Sequence, residues 1–426
     1  MNELDYRRSM EARNSVTLNS NMDSFDLINL LRNLPKDIVG EDNEKCEILT
    51  LHRVDLDYNT VYEIIDQLFR WSQVEFDDSS GHHMYALLNA ILKHENIKHL
   101  SIIGDELDPD SVEAMKEGLC SCYLHELVLF IELTREAATS IILEGINNAP
   151  SILKLDLSQC EISPDSIEVI CQALETNESL VSLNLENCRL QDDEIAEILL
   201  SLQDNQSLQH LSLAMNYAED EAMNAASRLL QSPTSRLKSL NLAQQNPGTL
   251  DLLSLSAGLR ENKKLQRLDL YESFVDKQHM AAFAEVLTVN TTLRELNFEN
   301  CGLKDSILSL LLVQLKRFTG LQKLYIKKNE LSKQLDPSTI RGNFMLQVLD
   351  VEDRLMHPQV YIDLALNRGG RQYLDQNMLP MGLWPTLFER VNRYFQETSD
   401  DQAPSRCHHG FSSADALFYL IKGSVF

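Results

Sequence analysis

Glycine is scarce in this chain, 15 residues of 426, and no Gly-Lys dipeptide occurs anywhere. A Walker-type phosphate loop needs both, so that route to nucleotide binding is excluded. Gly-x-Gly-x-x-Gly, Gly-x-Ser-x-Gly and His-Glu-x-x-His are absent too, which removes the dinucleotide fingerprint, the nucleophile elbow and the zinc-protease helix. Long apolar runs are also missing. The best, Ile307 to Val313, covers seven residues, against the roughly 20 that a membrane helix needs. The start, Met1-Asn-Glu-Leu-Asp-Tyr-Arg-Arg8, is polar and charged with no apolar stretch behind it, so no secretory signal is expected. Positive charge is in short supply: 38 Lys and Arg stand against 64 Asp and Glu, a formal net charge of −26. Residues 1–45 carry six Lys/Arg against nine Asp/Glu and residues 354–426 carry seven against seven, which leaves −23 on residues 46–353. An array this acidic repels nucleic acid and anionic membranes and favours basic protein partners.

What the chain has instead is one phrase, Leu-x-x-Leu-x-Leu-x-x-(Asn/Cys)-x-Leu, clearest at Leu180, Leu183, Leu185, Cys188 and Leu190. Its first apolar residue recurs at Cys46, Ile97, Leu124, Ile152, Leu180, Leu208, Leu237, Leu265, Leu293 and Leu321, with spacings of 27 to 29 residues from Ile97 onward. Trp71, Val74 and Phe76 form a worn copy inside the gap between Cys46 and Ile97, and Leu346, Leu349 and Val351 form another at the end. A period this long leaves room for a helix in every unit. Ser163-Pro164-Asp165 supplies an N-cap and a proline at the first helical position, and Ile167, Ile170, Cys171 and Leu174 then share one helical face. Ile195, Ile198, Leu199 and Leu202 repeat the pattern, as do Met280, Phe283, Ala284 and Leu287. The expected fold class is therefore α/β: a leucine-rich repeat solenoid, a curved horseshoe with parallel β-strands on the concave face and α-helices on the convex face.

Three segments follow from this pattern: an N-terminal segment 1–45, partly disordered or capping; the solenoid 46–353, of about 12 repeats; and a C-terminal helical cap 354–426. The last strand of a solenoid has an open apolar end, so a cover is expected. Val360, Leu364 and Leu374 suit a first cap helix, Leu383, Trp384, Leu387 and Val391 a second, and Ala416, Leu417, Leu420 and Ile421 a third. Arg368 and Arg371 beside Gly369-Gly370 are read as donors of capping hydrogen bonds or salt bridges, with binding of an anion or a partner as the alternative.

The eight cysteines imply no disulfide framework, because Cys160, Cys188 and Cys301 stand where other repeats have Asn216 or Asn329. Cys120-Ser-Cys122 and Cys407-His408-His409 lack a partner pair at zinc spacing, so no metal is assigned. Three Asn-x-Ser/Thr sequences, at Asn177, Asn205 and Asn290, each fall three residues before an anchor leucine. They are read as repeat asparagines that satisfy backbone groups where helix returns to strand. Acid pairs such as Asp192 and Asp193 read as solvated helix starts, since nothing in the sequence desolvates one against the other. No catalytic residue and no cofactor is expected. The chain is read as a cytoplasmic protein, with the nucleus as the alternative compartment.

Residues between the leucines point out of the strand face. Arg267, Asp269 and Tyr271, then Glu295, Asn297 and Glu299, then Lys323, Tyr325 and Lys327 occupy three successive strands and are expected to form one patch of aromatics and mixed charge. Ile103, Val128 and Phe130 are a second candidate, apolar. The function that follows is a non-catalytic interaction scaffold holding a protein partner, for preference a basic one, on its acidic concave face.

Leu180-Val-Ser-Leu-Asn-Leu-Glu-Asn-Cys-Arg-Leu190, at a 28-residue period, resembles the ribonuclease-inhibitor-like subclass of leucine-rich repeats over roughly residues 46–353. In the tail, Leu366-Asn-Arg-Gly-Gly-Arg371, Leu383-Trp-Pro385, Glu389-Arg-Val-Asn392 and Asp415-Ala-Leu-Phe-Tyr-Leu420 are similar to the C-terminal segment of uncharacterised repeat proteins of diatoms. Such arrays also resemble the Ran GTPase-activating proteins, which implies a regulator of GTP hydrolysis as one alternative. A substrate receptor of a ubiquitin ligase is another, although only a short apolar stretch around Leu27 to Leu34 precedes the repeats, with no F-box in it.

Overall fold

The computed structural model describes residues 15–19, 24–33, 48–79, 83–245, 251–275, 277–315 and 320–369, together with Glu389. Cys46, Cys407, Arg371, Leu374 and the second and third cap segments lie outside the described residues. The chain divides into two compact units, Met1–Tyr217 with Pro233–Arg236, and Ala218–Ser232 with Leu237–Phe426.

In the first unit, β1 (Ser15–Asn19), β2 (Ile48–His52), β3 (Gln73–Asp77), β4 (His99–Ile103), β5 (Glu126–Phe130), β7 (Lys154–Asp156), β9 (Ser182–Asn184) and β10 (His210–Ser212) are parallel neighbours in chain order. The two-residue strands β6 (Glu132–Leu133) and β8 (Glu161–Ile162) pair separately. In the second unit, β11 (Ser239–Asn241), β12 (Arg267–Asp269), β13 (Glu295–Asn297), β14 (Lys323–Tyr325) and β15 (Val348–Asp350) continue the same scheme. A helix or helical turn joins successive strands, so each unit is an α/β leucine-rich repeat solenoid. Among the described residues, no helix is long and apolar enough to cross a membrane.

Alternation explains the core. Leu49, Val74, Leu100 and Leu127 stand side by side in the sheet, as do Leu51, Phe76, Ile102 and Leu129, and all eight are buried. The worn copy at Trp71, Val74 and Phe76 is buried as completely as the clear ones. The helices add Ile195, Ile198, Leu199 and Leu202 in the first unit and Met280, Phe283, Ala284 and Leu287 in the second. Helix Pro164–Thr176 begins after Ser163 with proline at its first position. The Ser163 hydroxyl does not cap the backbone as expected. It pairs with Ser166 Oγ at 2.7 Å, and Ser166 Oγ donates to Leu133 O of the preceding repeat at 2.9 Å.

Two polar devices recur among the repeats. The first is an asparagine at the return from helix to strand. Asn205 accepts from Ser207 N and Leu208 N (3.0 and 2.8 Å) and donates to Leu174 O and Asn177 O of the previous repeat (2.8 and 3.1 Å). Asn290 accepts from Thr292 N and Leu293 N (3.0 and 2.9 Å) and donates to Leu259 O and Asn262 O (2.7 and 3.3 Å). Asn177 takes the same place, accepting from Leu180 N at 2.7 Å. All three are buried, and each satisfies backbone groups that would otherwise be stranded away from water. The second device is the Cys or Asn after the strand. Cys160, Cys188 and Cys301 donate Sγ–H to Leu129 O, Leu157 O and Leu270 O, each at 3.0 Å, and Asn216 donates to Leu185 O at 2.8 Å. Burial pushes the Cys160 and Cys301 thiols up to about 12. Cys120 is exposed, with Sγ toward Lys116 O and Glu144 O, whereas Cys122 is buried beside Ser151 Oγ.

The residue before this position turns the chain. Gln159, Asn187, Met215, Gln244, Glu272, Asn300 and Lys328 all have φ between 53° and 63°. That left-handed conformation re-aims the backbone from strand toward helix, and it is held here by residues that are mostly poor at adopting it.

Helix Pro358–Gly369 follows β15, with Val360 and Leu364 buried. Its Asn367 donates to Asn343 O and Leu346 O (2.9 and 2.8 Å), so it continues the asparagine series. Arg368 Nε donates to the carbonyl O of Gln347, the residue before β15, at 2.6 Å.

Candidate protein-binding face

The strand face of the second unit brings the nine predicted residues together. Arg267, Glu295 and Lys323 are register partners across β12, β13 and β14, as are Asp269, Asn297 and Tyr325. Tyr271, Glu299 and Lys327 follow two residues further along each repeat. All nine are exposed or half-buried, so the face is accessible.

The charges are already matched within the face. Glu295 Oε2 is 3.3 Å from Arg267 Nη2 and 3.3 Å from Lys323 Nζ, one carboxylate shared by two cations. Lys327 Nζ lies 2.7 Å from Asp350 Oδ1, and the hydrogen bond to that carboxylate holds the ammonium above its ordinary range. Glu299 pairs with Lys328 at 3.2 Å, and the same Lys328 Nζ sits 5.5 Å from the Tyr271 ring centroid, over the ring. The nine residues sum to zero, as the mixed charge of the patch implies.

The central column also carries a structural task. Asp269 Oδ1 accepts from Tyr271 N at 3.0 Å, and Asn297 Oδ1 accepts from Glu299 N at 2.9 Å. Asp156 and Asn184 do the same in the first unit, toward Ser158 N and Glu186 N. These Asx turns shape the strand exit, which accounts for the Asp and Asn at that column. Desolvation raises the Asp269 carboxyl against the opposing bonds from Tyr271 and Asn297. Tyr325 breaks the pattern, since a phenol cannot make that turn. Its hydroxyl is pushed up by desolvation and then by the Glu295 charge.

Lys328, Glu272 and Asn300 belong to this face and were missed. Asn300 Nδ2 donates to Glu272 Oε1 at 3.0 Å, and Gln244 Nε2 donates to Glu272 Oε2 at 2.7 Å. The signal was available: 244, 272, 300 and 328 are spaced by 28 and so form a column of their own.

The apolar candidate is smaller than expected. Ile103 and Phe130 are register partners and half-buried, but Val128 is only 4% exposed. Its short side chain lies between Glu126 and Phe130 on its own strand, with Ser101 and Asp156 as register partners to either side. Glu75 and Ser101 of the same column are buried as well.

No protein-family model matches the chain. No curated protein matches it either. Among solved structures, an internalin from Listeria monocytogenes is similar with a TM-score of 0.44 and 16% identity, over 78% of this chain and 89% of that one. A chain of the Toll–Spatzle complex, described as a molecular hub in Drosophila development and innate immunity, is similar with a TM-score of 0.49 and 15% identity. That likeness covers 82% of this chain and 45% of the other, so this chain spans under half of that partner in the comparison.

Proposed function

We propose that the protein is a non-catalytic interaction scaffold that holds a protein partner on the strand face of its second unit, through the patch from Arg267 to Lys327. The observation that carries this reading is the register of β12, β13 and β14, which sets Tyr271 and Tyr325 among ion pairs already formed in the free chain. Side chains held by their neighbours lose little freedom on binding, so more of the contact energy remains as affinity. Tyrosines in such a setting supply large contact area at low entropic cost.

The partner is a basic protein surface. With the nine residues neutral in sum, attraction comes from the −23 carried by residues 46–353 and acts mainly on the rate of encounter. Capture by the immobilised chain from its native source should therefore weaken as ionic strength rises to physiological, where the screening length falls to about 8 Å. The double variant Tyr271→Ala with Tyr325→Ala tests the patch itself. Capture at unchanged affinity by that variant rules the patch out, whereas salt-insensitive capture that the variant abolishes leaves the patch and removes the basic partner.

A further inference from the structure

The helix side of the first unit exposes three aromatics on two neighbouring helices. Phe25 on α1 (Ser24–Asn33) is 72% exposed, and Tyr58 and Tyr62 on α2 (Tyr58–Gln67) are each 65% exposed. The opposite side of α2 is ordinary core, with Thr60, Val61 and Ile64 buried. Between α1 and α2 lies a cleft of about 320 Å³, lined by Phe25, Tyr58 and Tyr62 together with Asn29, Asn59 and Arg32. The two tyrosine rings stack at 6.4 Å with 23° between their planes, presenting flat walls.

We propose that this cleft is a second binding site, independent of the strand face, for a proline-rich segment of a partner protein that carries arginine or lysine. Three features select that chemistry. A polyproline II chain makes no internal hydrogen bonds and turns its carbonyls outward, and the Asn29 and Asn59 amides and the Arg32 guanidinium offer donors to such carbonyls. A bound helix would bring a backbone already satisfied and leave those amides facing it unused. Flat proline rings pack on tyrosine faces, which is how aromatic-lined grooves recognise such segments.

The charge around the cleft selects the cation. Exposed carboxylates at Asp26, Asp55 and Asp66 stand on the same helices or just before them, and Asp66 follows Tyr62 by one helical turn on the same face. The cleft's own cation is held, since Arg32 Nε bonds Glu63 Oε2 at 2.8 Å. Elsewhere in the first unit aromatics already take cations from the chain: Lys98 lies over Tyr123 at 5.3 Å and Arg70 over Phe69 at 5.6 Å. Tyr58 and Tyr62 have each other and the edge of His83 instead. A partner's arginine over these rings would complete the same arrangement.

The test uses the full chain and a fluorescent peptide of five prolines flanked by arginines, with a control that keeps the arginines on a Gly/Ser spacer. Saturable binding of the proline peptide, at least about tenfold tighter than the control, is expected, because the control measures only attraction to an acidic protein. Tyr58→Ala with Tyr62→Ala should remove that preference while Tyr62→Phe keeps it, with thermal unfolding confirming that each variant folds. Equal affinity for both peptides, or a preference untouched by the double variant, overturns the proposal. So does a concentration-dependent dimer in sedimentation that Tyr62→Ala dissolves, since the occupant is then a second copy.

Discussion

The strand faces of the two units are built on one backbone plan and differ in what stands between the leucines. In the first, the middle of the central column sinks, with Glu75 3% exposed, Ser101 0% and Val128 4%, while Thr50, Asp156, Asn184 and Ser212 stay half-buried. In the second, Asp269, Asn297, Tyr325 and Asp350 of the equivalent column stay half-exposed. Cross-strand pairing differs as well. The first face includes histidine–carboxylate pairs, His52 with Asp77 at 2.7 Å and His99 with Glu126 at 3.5 Å, beside Arg53–Asp78 and Lys154–Glu126, whereas the pairs on the second face join arginine and lysine to glutamate and aspartate. A repeat scaffold therefore separates stability from recognition. The leucines, asparagines and turn residues are interchangeable between units, and the outward residues are not.

If that separation is right, breaking the common scaffold should cost the two units alike. Asn205→Ala and Asn290→Ala each remove four hydrogen bonds to buried or half-buried backbone groups. Each should destabilise its own unit by roughly 3 kcal/mol, since several backbone groups lose their partner at once. Hydrogen exchange around each site would show it, and a large loss at one asparagine with none at the other would end the equivalence of the units.

The next effect divides the faces. Tyr271→Ala with Tyr325→Ala should weaken partner capture by about 30-fold or more, the scale of a central aromatic pair. Ile103→Ala with Phe130→Ala should leave capture within about threefold, as expected of residues outside the contact. The reverse result would move the binding face to the first unit.

Much of this was legible in the residues and some was not. The three apolar anchors of each phrase announce their burial because period 2 within a strand and period 28 along the chain act together. The asparagines before the anchors could be assigned because only a repeat role explains their constant offset. The strand Ser15–Asn19 was not read, for its partner β2 lies 33 residues on and only Val16 and Leu18 alternate. Left-handed turns at Met215, Glu272 and Lys328 carry no local signal, as those residue types do not favour the conformation and the neighbouring repeats impose it. Ion-pair choice was also hidden. Lys323 could reach an acid on either flanking strand, and geometry rather than spacing gives it Glu295.

Helix caps allow a smaller comparison. Asp57 in the first unit accepts from Thr60 N at 2.7 Å, and that bond holds its carboxyl below the ordinary 3.8. A depressed carboxyl stabilises above the unfolded value and loses that contribution as pH falls through the lower folded value, so the loss belongs below about pH 4. Asp57→Ala should cost about 1 kcal/mol at neutral pH, and the wild-type advantage in urea unfolding should vanish as pH falls through that range. Asp336 caps a five-residue helix in the second unit in the same manner, accepting from Ser338 N, and its carboxyl is likewise lowered, first by the Ser338 hydroxyl. A parallel decline at Asp336→Ala would again place stability in the shared scaffold.

The smallest expected change is the sharpest between the faces. Glu295 is shared by Arg267 and Lys323, and Glu126, in the same column of the first unit, is shared by His99 and Lys154 at 3.5 and 3.6 Å. Glu295 could be removed at little cost to folding, about 1 kcal/mol, because Arg267 and Lys323 are both well exposed. Glu295→Gln releases two cations on the proposed binding face and turns a neutral patch positive. Capture of a basic partner should then weaken several-fold with a shallower salt dependence, while Glu126→Gln leaves it unchanged. Tighter capture by Glu295→Gln would mean that the patch meets an acidic surface, because only then does freeing Arg267 and Lys323 add attraction.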